Sequence, residues 1–214
     1  MAGSVRDLSG WQRPRARLPP PTPPGYVTDT LFDACRRNDL EQVRSLVQAD
    51  PALLLQRAPT GETPLLAALY HRAGEVACWL TGQSWPRTIH EAAAVDDVPR
   101  LETLLVGDPT LADTYSADGW TPLHLAAFFG APRAATTLLA HGASLHPLSQ
   151  NAMTNTPLHA ALAAKRLPLV ALLLDAGADP TLECAGYTPL AIAEGNGFED
   201  GAALVRAALG RSRS

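Results

Sequence analysis

Lysine is almost missing from this chain: its basic charge is arginine, with Lys165 the single exception. Aromatic residues make up only 6% of the sequence, and cysteine occurs three times. Each shortage excludes something. Cys35, Cys78 and Cys184 are an odd number at irregular spacing, which does not make a disulfide framework. A reducing, cytoplasmic setting is therefore expected. No stretch reaches the roughly 20 apolar residues of a membrane span, so no membrane partner is expected. Residues 1–27 lack the apolar run of a secretory signal. The net charge is −4, and residues 1–27 hold Arg6, Arg13, Arg15 and Arg17 against Asp7 alone. The remainder is thus clearly acidic, which argues against a nucleic-acid surface. Neither a G-x-S-x-G nucleophile turn nor a G-x-x-x-x-G-K phosphate loop is present. No cofactor is implied, and no enzyme activity is expected.

What the chain does contain is alanine, leucine and a recurring phrase. The clearest copy is DGWTPLHLAAFFGAPRAATTLLAHGASL at 118–145. Thr121 suits a helix cap and Pro122 the first helical turn. Leu123, Leu125, Ala126 and Ala127 then form one short apolar helix. Gly119 and Gly130 mark turns, Pro132 opens a second helix, and Gly142 stands where that helix should stop. Helices this short do not stand alone in water, so they need neighbours.

The neighbours recur along the chain. TPLHAALAAKRLPLVALLLDAGADP at 156–180 repeats the pattern, TPLAIAEGNG at 188–197 repeats it again, and TPLLAALYHRAGEVACWL at 63–80 is an earlier copy. TIHEAAAVDDVPRLETLL at 88–105 and LFDACRRNDLEQVRSLV at 31–47 keep the helical skeleton. A period near 33 carrying TPLH and G-A-D resembles the ankyrin-repeat family, in particular free-standing ankyrin proteins of bacteria. The resemblance covers 28–210 and implies an all-α repeat solenoid of about six helix-turn-helix repeats joined by short β-hairpin loops. Residues 1–27 form a proline-rich arm ending in LPPPTPPGY, and 211–214 form a short tail. Thr28 or Asp29 is the expected start of the first helix. The second repeat is short: Thr63 to Thr88 falls about eight residues below the period, and GQSWPR at 82–87 replaces the usual hairpin.

The resemblance also assigns the histidines. His90, His124 and His159 are read as one repeated position that links neighbouring loops through the ring nitrogens, not as metal ligands. His141 and His146 are placed near loops and in solvent. Asp118 and Asp179 are read as turn and capping residues. Cys35 is read as buried, and Cys184 as a loop residue open to solvent.

Function must then come from surface positions. In an ankyrin array, the two residues after the alanine pair face a concave groove. Here they are Arg36 and Arg37, Tyr70 and His71, Ala94 and Val95, Phe128 and Phe129, Ala163 and Ala164, and Gly195 and Asn196. One end is basic and the centre is aromatic. Trp120, Met153 and Tyr187 stand on the hairpins beside them, where exposure of such residues together reads as a contact surface. The expected function is a monomeric, non-enzymatic scaffold or adaptor that binds another protein through Arg36, Arg37, Tyr70, His71, Trp120, Phe128, Phe129, Met153 and Tyr187. The alternative is a small-ligand site in a notch near Trp79 and Trp85.

Overall fold

The computed structural model describes residues 30–211. The arm at 1–27, the expected helix start at Thr28 or Asp29 and the last three tail residues lie outside these. The chain divides at Arg87 into two compact units, whose described parts are 30–87 and 88–211. That boundary falls in the shortened connection of the second repeat.

The first unit holds two helix pairs: α1 (Leu31–Arg37) with α2 (Leu40–Ala49), and α3 (Pro64–Tyr70) with α4 (Gly74–Gly82). Thr30 caps α1, its hydroxyl accepting from the Asp33 N–H at 3.2 Å. Leu31, Phe32, Ala34 and Cys35 are buried, with α1 against α3 and α2 against α4. The second unit holds four pairs: α5 (Ile89–Ala94) with α6 (Val98–Gly107), α7 (Pro122–Phe129) with α8 (Pro132–Ala140), α9 (Pro157–Ala163) with α10 (Leu167–Asp175), and α11 (Pro189–Gly195) with α12 (Glu199–Arg211). Within it, α5, α7, α9 and α11 pack in sequence, and α6, α8, α10 and α12 form the second layer. No strand occurs among the described residues; the hairpins are reduced to turns and one isolated bridge between Cys184 and Tyr187.

Alanine explains how such thin helices stack. Ala92, Ala93, Ala126, Ala127, Ala160 and Ala161 are fully enclosed, so neighbouring first helices approach without large side chains between them. Leucines on the second helices fill the space left: Leu101, Leu105, Leu138, Leu169 and Leu173 are buried. Large-to-small changes at such sites remove both transfer energy and packing.

Each pair turns through one left-handed residue, at Asn38, Arg72, Asp96, Gly130, Lys165 and Gly197. In each case the next residue donates its N–H to a carbonyl five positions earlier: Asp39 to Ala34, Ala73 to Ala68, Asp97 to Ala92, Ala131 to Ala126, Arg166 to Ala161 and Phe198 to Ala193, at 2.8–3.0 Å. This is the backbone closure of a Schellman turn. Gly119 shows where glycine is required: its φ is +79°, and a Cβ there would lie 2.7 Å from the Gln150 carbonyl carbon.

Two long connections share a second device. Asp50-Pro51 and Asp108-Pro109 each open a 3-10 turn, Pro51–Leu55 and Pro109–Asp113. The aspartate accepts from the N–H two residues on, Ala52 or Thr110, at 3.0 Å.

Candidate functional site

The first helices are tied to the hairpins that follow them. In α7, His124 is fully buried, and its Nδ1 accepts from the Thr121 N–H at 3.3 Å and contacts the Thr121 hydroxyl at 2.9 Å. An accepting Nδ1 leaves the proton on Nε2, which donates to the Asn155 carbonyl at 2.8 Å in the next hairpin. In α9, His159 Nδ1 pairs with the Thr156 hydroxyl at 2.7 Å and Nε2 meets the Tyr187 carbonyl at 3.3 Å. Burial holds both rings neutral, lowering each pKa to about 4. These two histidines serve the fold.

His90 does not share their place, contrary to the sequence reading. Counting from the cap Thr88, His90 is the second residue of α5 and Glu91 the third, the position His124 and His159 hold in their helices. Glu91 closes a capping box: its Oε2 accepts from the Thr88 N–H at 2.9 Å and the Thr88 hydroxyl at 3.1 Å. His90 instead meets the Thr114 carbonyl at 3.0 Å, at the end of the 3-10 turn. The TIHE order displaces the histidine by one residue relative to TPLH.

Other expectations are corrected by burial. Cys184 is enclosed, not open to solvent, because it forms the Tyr187 bridge; burial raises its thiol pKa. Cys35 is buried as expected, and desolvation pushes its thiol up to about 12. Trp120 is only 1% exposed, so it is a core residue of its hairpin and not an exposed contact. His146 is exposed, yet its Nε2 accepts the Asp179 N–H at 2.9 Å. Asp179 accepts from the Thr181 N–H and hydroxyl, both at 2.7 Å, a turn role as expected.

The pairs that the sequence places at a binding surface share one structural address. All six immediately precede the left-handed residue of their turn. In the first unit, Arg36 is engaged by Glu62 at 3.0 Å and Asp33 at 3.4 Å, Arg37 is exposed, Tyr70 is half-buried and His71 exposed. In the second, Phe128 and Phe129 are half-buried, meeting edge to face with ring centroids 5.2 Å apart. Phe128 rests edge-on against Trp120 at 5.1 Å. The three rings form one cluster, rooted in the core and open at its outer end. Arg166 Nε donates to the Phe128 carbonyl at 3.0 Å and its chain covers Gly130. Met153 and Tyr187 are half-buried on their loops, with the Met153 N–H held by Asn151 at 3.0 Å. The structure thus joins Trp120, Phe128 and Phe129, while Met153 and Tyr187 stand on two later hairpins.

Around Trp79 and Trp85 the structure places arginines: Arg44 lies 6.0 Å from the Trp79 ring and Arg87 lies 4.8 Å from the Trp85 ring. A cleft of about 630 Å³ in the first unit is lined by Asn38, Asp39, Glu41, Arg44, Gln48 and Glu75 among others, and neither tryptophan contributes to it.

Sequence reasoning missed one set of residues. Helices α4 and α8 are preceded at the cap position by Ala73 and Ala131, which offer no capping side chain. The caps come from the preceding repeat: Asn38 Oδ1 accepts from the Val76 N–H at 3.2 Å, and Asp96 Oδ1 from the Ala134 N–H at 2.6 Å. Their signal was an Asn or Asp between two short helices, the residue types that tolerate left-handed geometry.

Helix pairs stacked on paired layers, closed by Schellman turns and tied by buried histidines, define a helical repeat solenoid. Residues 89–184 match the family model for ankyrin repeats, in three copies. The crystal structure of an ankyrin repeat domain from Acinetobacter baumannii is similar, with a TM-score of 0.52 and 25% identity over 83% of this chain and 96% of that one. The human neurogenic locus notch homolog protein 4 is 34% identical over 154 residues, 67% of this chain and 7% of that protein. The probable 26S proteasome regulatory subunit p28 of Saccharomyces cerevisiae is 28% identical over 151 residues, 69% of this chain and 55% of that protein. The chain therefore spans about half of one curated relative and a small part of the other. It is an ankyrin-repeat protein.

Proposed function

We propose that this chain is a non-enzymatic adaptor that binds a protein partner at the residues preceding the left-handed turns of the 88–211 unit, around Phe128 and Phe129. The observation that carries this reading is the state of that aromatic pair. The core of its repeat is already filled by Ala126, Ala127, Leu123 and Trp120, all buried. The two phenylalanines are left partly open beyond it. At the same turn position the other repeats of the unit place Ala94 and Val95, Ala163 and Ala164, or Gly195 and Asn196. Two rings are not needed to close that turn. Aromatic side chains bury much area for little lost rotamer freedom and often dominate interfaces. Ankyrin repeats generally mediate protein interaction, and the yeast relative is itself named a regulatory subunit.

The test is the double change Phe128→Ser with Phe129→Ser in the full chain. Partners captured by the wild type are identified, and their affinities for both forms are measured by titration. Binding should weaken by about 2–4 kcal/mol, the scale of a hot spot. A variant that keeps its helical circular dichroism and still binds each partner at full strength overturns the proposal.

A further inference from the structure

A second set of residues stands on the hairpins of the 88–211 unit, one register position outside the bond that closes each of them. Three hairpins close through an equivalent bond: Ser116 N–H to Trp120 O at 2.8 Å, Ser149 N–H to Asn155 O at 2.8 Å, and Cys184 N–H to Tyr187 O at 2.9 Å. The residues just before these donors are Tyr115, Leu148 and Glu183. They occupy one register position on three successive hairpins.

All three are exposed, Tyr115 at 37% and Leu148 at 46%. Few large apolar side chains are this open, and these two are neighbours: the Tyr115 hydroxyl donates to the Leu148 carbonyl at 3.0 Å. That bond holds the phenol against the next hairpin and fixes the row. Among the described residues, Glu183 enters no ion pair. The row therefore runs aromatic, aliphatic, acidic.

The charge around it has the same sign. Residues 88–211 hold thirteen acidic side chains against six basic ones, whereas 30–87 hold six of each. An acidic field draws cationic segments and repels anionic ones. An apolar ledge with a carboxylate at one end is complementary to an apolar residue followed by a basic one.

We propose that the Tyr115–Leu148–Glu183 row is a docking ledge for a basic, apolar-anchored peptide segment of a partner protein. The apolar anchor sits on Tyr115 and Leu148, and an arginine or lysine pairs with Glu183. None of its three residues belongs to the Phe128 and Phe129 pair.

The experiment selects a display library of random dodecapeptides on the immobilised full chain. Enriched peptides are expected to place Arg or Lys near an apolar residue. Their affinity should fall by at least about tenfold in Leu148→Ser, the scale of one interface anchor. Leu148→Ser keeps the carbonyl that Tyr115 uses, so the hairpin bond survives. Selection on Glu183→Lys should turn the preference toward Asp and Glu. No enrichment, enrichment blind to Leu148→Ser, or a charge preference unmoved by Glu183→Lys overturns the ledge. So does a concentration-dependent dimer, seen by sedimentation and abolished by Leu148→Ser, which would make the row a contact between copies. Peptides lost only in Phe128→Ser with Phe129→Ser would also overturn it, and would leave the aromatic adaptor site standing.

Discussion

Mild acid should destabilise the 88–211 unit through two buried histidines. His124 and His159 are buried neutral, with folded pKa values of about 4 against an ordinary 6.5. The unfolded chain binds more protons than the folded one between these values, so stability rises with pH there. The contribution is fully present above about pH 6.5 and is lost as pH falls through the folded value. At pH 5 each histidine accounts for about 2 kcal/mol of lost stability, rising to about 3 kcal/mol below pH 4. Two such losses, about 4 kcal/mol together at pH 5, rival a large share of a domain's total stability. The Asp179 carboxylate is held below its usual range by the Thr181 hydroxyl and N–H, and acts in the same direction at lower pH. The assay is urea denaturation followed by circular dichroism, from pH 7 to pH 5. The control is His124→Gln with His159→Gln, which titrates at neither site. The control should be less stable at pH 7, through lost staples, but nearly flat between pH 7 and pH 5. An unchanged wild-type midpoint across that range refutes the reasoning, as does an equal slope in the control.

Other consequences follow from named contacts. Leu138→Ala and Leu173→Ala each remove a fully buried side chain from the second-helix layer and should cost about 2–5 kcal/mol by denaturant titration; losses under about 0.5 kcal/mol would mean a different register. Asp96→Gly deletes the inter-repeat cap on the Ala134 N–H while keeping the left-handed turn that alanine would strain; it should cost about 1 kcal/mol, measured as a shift of thermal midpoint, while an equal effect from the exposed Glu102→Ala would contradict the assignment. Glu91 is 2% exposed, and no protein group donates to its Oε1. Glu91→Gln keeps the capping oxygen and removes a buried charge, so stability at pH 7 should hold or rise by up to about 1 kcal/mol; a loss larger than that would show that the charge is needed.

Most of the fold was legible because its rules are local. Threonine caps, prolines at the first helical position and the alanine pairs all mark helix starts and buried faces, and α3, α7, α9 and α11 begin at their prolines. The shortened second repeat was legible as a missing span between Thr63 and Thr88. What escaped was pairing across repeats. Nothing local marks Asn38 and Asp96 as caps, since their side-chain oxygens serve N–H groups 38 positions later. His90 misled because identity of residue type outweighed register; counting from the threonine would have put Glu91 in line with His124. Trp120 and Cys184 misled for a related reason. Loop residues are usually exposed, but hairpins this short pack against their neighbours and bury one side.

The division between fold and function rests on the turn itself. Its closure uses only backbone groups, from the N–H after the left-handed residue to a carbonyl five positions back, and it recurs in all six repeats. No side chain of the two residues before the left-handed position takes part in that bond. Those positions therefore accept arginine at Arg36 and Arg37, phenylalanine at Phe128 and Phe129, and glycine and asparagine at Gly195 and Asn196, with the same backbone. Stability is set one step earlier, by the enclosed alanines, and one helix later, by the leucines. A position that the fold leaves unconstrained can still be constrained by a partner. Two adjacent aromatic rings at such a place expose apolar area to water at a cost that the turn does not require. Small residues close the equivalent turn at Ala163 and Ala164. The same reasoning applies to Tyr115 and Leu148, which precede the hairpin bond and take no part in it. Function in this array is thus sought where the repeat is indifferent to side chain, and the partner's chemistry is read from what stands there.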